Sequence, residues 1–146
     1  MAITQALANS FKKSLLDGDM DFKSSGGDVF KLALYTSSAT LNSTTTTYTT
    51  TNEVAASGQY AAGGGSLVNN GTSVASGVAI LDYADLSFTG VTITARGALI
   101  YNTSSAVTSN AAVAVLDFGS DKSVSGGTFT IQFPAFTTSS AIIRIS

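Results

Sequence analysis

Histidine and cysteine are both absent from this 146-residue chain, so any chemistry must come from carboxylates, hydroxyls and the seven lysines and arginines. A Ser-His-Asp triad, a Cys-His pair, a disulfide and the ordinary zinc sites each need a residue the chain lacks. Asp17, Asp19 and Asp21 stand at alternate positions, and Asp28 falls where the twelfth residue of a calcium loop beginning at Asp17 would lie. Position six of that loop is Phe22, where the turn needs glycine, and the residues after Asp28 read as a strand rather than a helix. A solvated acidic turn is the simpler account. Asp82 and Asp85 come near Asp117 if the flanking strands pair, which raises a carboxylate pair of the glycosidase kind. Both Asp82 and Asp117 sit where a strand gives way to a loop, and Asx turns explain them more simply. Gly63-Gly64-Gly65 is followed by neither the Gly-Lys-Ser/Thr nor the helix of a phosphate loop, so it reads as a connector or bulge. Three Asn-X-Ser/Thr sequons, at Asn42, Asn70 and Asn102, arise readily in a chain this rich in Ser and Thr. These residues predict a non-enzymatic protein with no cofactor and no metal.

The elements that must hold these side chains are mostly strands. The clearest runs over 91–102: Thr92, Thr94 and Arg96 alternate with Val91, Ile93 and Ala95, and after Gly97 the run Ala98-Leu99-Ile100-Tyr101 is apolar on both faces. Such a strand belongs in the middle of a sheet, with Gly97 at a bulge or a close backbone approach. Further strands are expected at 30–35, 67–68, 78–83, 86–88, 112–118, 128–133 and 141–146, with a turn at Asn69-Asn70-Gly71 and a turn-rich loop at 119–127. The segment 113–118 (VAVLDF) echoes 78–83 (VAILDY). Residues 36–52 are almost all Ser and Thr and read as a long surface loop. One helix is expected over 2–16, where Ile3, Leu7, Phe11 and Leu15 recur every four residues, Thr4 is placed as N-cap and Gly18 as terminator. This stripe packs either on its own sheet or, as an arm, on a partner subunit. The fold class is all-β: a β-sandwich or jelly roll over 28–146, preceded by the helix or arm of 2–16, in a single domain.

Composition narrows the partners. Charged residues make up 11% of the chain, against about 25% in ordinary soluble domains. The net charge is −2 and the basic residues are scattered, which excludes a phosphate-binding stripe and predicts no nucleic-acid partner. No apolar run approaches the ~20 residues of a membrane span. The first residues lack the pattern of a secretory signal, so synthesis in the cytoplasm is expected. Candidate contact residues are the stripe Ile3, Leu7, Phe11 and Leu15, together with Tyr48 in the Ser/Thr loop and Arg96, the one charge inside the central strand.

Five segments, MAITQALANSFKKSLLDG, GDVFKLALYTSSATLNSTTTTYTTTNEV, ITARGALIYN, AVAVLDFGSDKSVSGGTFTIQFP and AIIRI, together resemble a widespread family of small tailed-bacteriophage virion proteins. The resemblance implies a structural component of the virion, made in the host cytoplasm. Small charge-poor β-proteins of this kind commonly serve as capsid decoration or cement proteins. The expected partners are then the major capsid protein and copies of the chain itself, as a dimer or trimer, with no small-molecule substrate. A tail, neck or fibre-associated protein, or a carbohydrate-binding module with Tyr48 and Tyr60 as stacking platforms, are the alternative expectations. If the helix is an arm, deleting 1–16 should leave a folded sandwich that attaches poorly; unfolding would place the helix in the core.

Overall fold

The computed structural model describes residues 2–105 and 107–146, and among these it contains eight strands and one helix. In chain order they are β1 (Ala6–Leu7), α1 (Asn9–Asp17), β2 (Phe30–Tyr35), β3 (Gly65–Ser66), β4 (Asn69–Ala75), β5 (Val78–Tyr83), β6 (Leu86–Asn102), β7 (Ala111–Ile131) and β8 (Ile143–Ile145). They form two antiparallel sheets, one ordered β1-β7-β6-β2-β3 and the other β4-β5-β8. The molecule is all-β, with one short helix.

β6 is the middle strand of the larger sheet. Its amphipathic half, up to Ala95, buries Phe88, Val91, Ile93 and Ala95 and turns Thr92 and Thr94 to solvent. Its second half, from Gly97 to Asn102, is buried on both faces, which is why the sequence there is continuously apolar. Tyr101 points to the Ser/Thr-rich segment, stacking on Tyr48 and donating from its hydroxyl to the Gly63 carbonyl at 2.6 Å. Asn102, next along, points the other way and donates to Asp28 at 2.7 Å. Gly97 sits at a register shift between β6 and β7, and a Cβ there would lie 2.4 Å from the Leu116 carbonyl oxygen and 2.9 Å from Ile3 Cγ2. It is both a bulge position and a close approach.

β7 differs from the sequence reading. The separate strands expected at 112–118 and 128–133 are one element, and the loop expected at 119–127 lies inside it. Opposite β6, Gly97 faces Asp117 but Ala95 faces Lys122, so residues 118–121 bulge out while pairing resumes on either side. The Gly and Ser residues that look like a loop are therefore the material of bulges. The turn expected at Asn69-Asn70-Gly71 is likewise part of β4, with a register shift between Asn69 and Gly71. The true hairpin turn is Ser76-Gly77, both at positive φ (50° and 77°), the twist that a two-residue connection requires.

The helix also starts later than expected. Residues 2–8 are extended: Leu41 N–H donates to Ala2 O, Thr4 N–H to Leu41 O, β1 pairs Ala6 with Val115, and Ala8 N–H donates to Val113 O. Those tertiary bonds claim the backbone groups that a first helical turn would use. Helix α1 begins at Asn9 with Ala8, not Thr4, as its N-cap, and ends at Gly18 in the left-handed region. A chain of aromatic contacts runs from the helix into both sheets: Phe11 meets Phe22, Phe22 stacks on Phe30, Phe30 meets Tyr83, and Tyr83 meets Phe133. One apolar core therefore serves the helix and both sheets. No described helix is long and apolar enough to cross a membrane.

Candidate functional site

The stripe expected to make contacts divides. Ile3 is 6% exposed, bridges to Leu41 and fills the space above Gly97. Phe11 is 2% exposed and packs on Phe22. Both side chains pack in the protein's own core. Leu7 is half-buried on β1, opposite Ala114. Leu15 is half-buried and, with Phe11, Phe22, Ile80, Ile143 and Ile145, lines an apolar cleft of about 120 Å³ between α1 and the smaller sheet. Beside it Leu16, absent from the expected stripe, is 90% exposed.

Arg96 pairs with Asp117, Nε to Oδ1 at 3.2 Å, across the bulged register of β6 and β7. The Gly119 N–H also donates to that carboxylate and, with Arg96, holds Asp117 below its ordinary range. The other aspartates are engaged separately. Asp82, on β5 of the smaller sheet, accepts from Asn70 Nδ2, and Asp85 accepts from the Phe133 N–H. Asp117 belongs to the larger sheet, and the three carboxylates have separate partners. Asp17 pairs with Lys13, Asp21 with Lys23, and Asp28 accepts from Asn102 and from the Asp21 N–H. Among the described residues no group of three or more acidic side chains is arranged to hold a metal.

The densest polar constellation centres on a residue the sequence reading passed over. Glu53, the only glutamate, accepts from the Tyr48 hydroxyl at 2.6 Å, the Tyr60 hydroxyl at 2.8 Å and the Gly63 N–H at 2.7 Å. Tyr60, 1% exposed, also receives the Leu34 N–H at 2.8 Å. Tyr35 opposes Glu53 through a bridge and donates its hydroxyl to the Thr49 carbonyl at 2.6 Å. With Tyr101 stacked on Tyr48, four of the five tyrosines gather round one carboxylate. Burial is the first cause raising all four phenols above their ordinary range, Tyr101 to about 12. Gly64 closes the arrangement from below. Its φ is +76°, and a Cβ there would lie 1.8 Å from the Leu32 carbonyl oxygen, so the three-glycine run is a tight seat against β2.

The segment 36–52 is thus a strap fastened to the sheet, with its own Ala39 and Leu41 buried. Tyr60 has no exposed face and is not an open stacking platform, while Tyr48 is half-buried with one face covered by Tyr101. The signal that could have found the cluster is one of isolation: Glu53 is the only charged residue between Lys31 and Asp82. A lone carboxylate in so long an uncharged stretch needs donors nearby, and the tyrosines supply them. Both oxygens of Glu53 are occupied, so the constellation fastens loops together.

Comparison with protein-family models, with curated proteins and with solved structures gives no match.

Proposed function

We propose that this chain is a non-enzymatic structural protein of a bacteriophage virion, acting as a decoration or cement protein on the outer capsid shell between capsomers. In this reading the two sheets form a jelly-roll-like β-sandwich whose outer faces make the contacts. The observation that carries the reading is the exposed face of the β6–β7 ribbon. Thr92 and Thr94 stand there beside Ser123 and Ser125, and hydroxyls pair across the strands at Ser87–Thr130 and Thr94–Ser123, both at 2.8 Å. A hydroxyl-covered face with few charges makes many short-range hydrogen bonds to a flat protein surface and repels copies of itself little. The resemblance to small virion proteins supports the same reading.

The partners in this proposal are the major capsid protein and further copies of the chain. A protein that binds only the assembled shell stabilises it by mass action. The test is to locate and count the chain on purified virions. Copies in the hundreds per particle are expected, lost together with shell stability when the protein is stripped; a handful of copies retained in isolated tails would make it a tail or neck component instead.

A further inference from the structure

We infer that Glu53 is a latch: its ionised carboxylate holds the strap around Tyr48 and the glycine turn around Gly63 against β2 and β6, and neutralising it loosens both segments while the sheets stay folded. Three donors from three chain segments converge on two oxygens: Tyr48 from the strap, Tyr60 from the following loop, and the Gly63 N–H from the glycine turn. The titratable groups facing the latch are Tyr35 from β2, Tyr48 and Tyr60 from the loops, and Tyr101 from β6, and no lysine or arginine pairs with Glu53 among the described residues. The carboxylate's only partners are therefore hydrogen-bond donors, and each bond is strengthened by its charge. Such charge-assisted bonds are roughly twice as strong as neutral ones, so one Glu→Gln exchange weakens all three together.

The Gly63 N–H can only donate, so it cannot reverse its bond to suit a neutral partner. The two hydroxyls can turn round, that of Tyr60 towards the Leu34 carbonyl at 3.4 Å. Once loosened, the strap keeps backbone ties that include Tyr48 N–H to Asn110 O and Ala112 N–H to Thr46 O, while the Tyr48 side chain lifts from the Tyr101 ring. A change of charge at one buried-edge carboxylate thereby becomes a change in the presentation of a threonine-rich surface. The latch is independent of where the protein resides.

Residue-resolved hydrogen exchange on the full chain tests it. In Glu53→Gln the amides of Val54, Gly63 and Gly64 should exchange about tenfold faster, the loss expected from weakening charge-assisted bonds, while those of Ile100 and Val115 are unchanged. Tyr48→Phe keeps the ring stack and should accelerate the same amides less. Unchanged rates at these amides in both variants, or equal acceleration throughout β6 and β7, overturns the latch. If Glu53→Gln does not fold, Tyr48→Phe still decides it.

Discussion

Every tyrosine in the chain has its phenol held above the ordinary 10.0 by burial. A phenol raised in the folded state contributes stability that is complete below pH 10 and is lost as the pH climbs through the folded-state value. Tyrosinate absorbance should therefore show no phenol ionising near pH 10 in the folded protein, and ionisation above it should coincide with unfolding. A tyrosine titrating at its ordinary value with the fold intact would contradict this. Tyr83 differs from the other four, because its buried hydroxyl has no partner among the described residues. Tyr83→Phe removes that desolvated group and keeps the contacts with Phe30 and Phe133, so thermal unfolding should show unchanged or higher stability, by up to about 1 kcal/mol. Arg96→Ala breaks a partly exposed pair and should cost no more than about 1 kcal/mol in the same assay. At this scale the sequence is legible where a residue meets its near neighbours in the strand pattern, as at Gly97. The Glu53 cluster was not, because Tyr48, Tyr60 and Gly63 have no regular spacing and meet only after two loops fold over β2.

Among the elements, the N-terminal segment shows most plainly what a spacing can and cannot decide. Residues four apart lie on one face of a helix, but four is also an even number, so they lie on one face of a strand. Ile3 and Leu7 lie in extended chain, Phe11 and Leu15 in the helix, and the change from one to the other falls at Ala8. Because Ile3, Ala8 and Phe11 are in the core, deletion of 1–16 should unfold the chain rather than leave a detached sandwich; circular dichroism of the truncated protein checks this. Phe11→Ala should cost about 3–5 kcal/mol in denaturant unfolding. Gly97→Ala should destabilise by about 1–3 kcal/mol, since Leu116's carbonyl and Ile3 must both move to admit a methyl group. The fusion of two expected strands into β7 has a related cause. Gly, Ser and Asp mark loops by composition, but a strand held along a long partner tolerates them as bulges.

For the molecule as a whole, the all-β class and the central position of β6 follow from alternation and from the double-sided apolar run, which are local properties of the chain. Strand order does not, since it is fixed by contacts between segments far apart, such as the aromatic chain from Phe11 to Phe133. The proposed place on a capsid belongs to this scale too: adding purified protein back to stripped particles should raise their temperature of opening in proportion to occupancy, with saturation at a fixed number of copies. The pairing of β1 with β7 carries one further consequence, for the order of events during synthesis. Ala6 and Leu7 are made more than a hundred residues before their partners Val115 and Ala114. The growing chain must keep β1 unpaired over that whole interval, and the large sheet can acquire its β1 edge only after β7 has emerged.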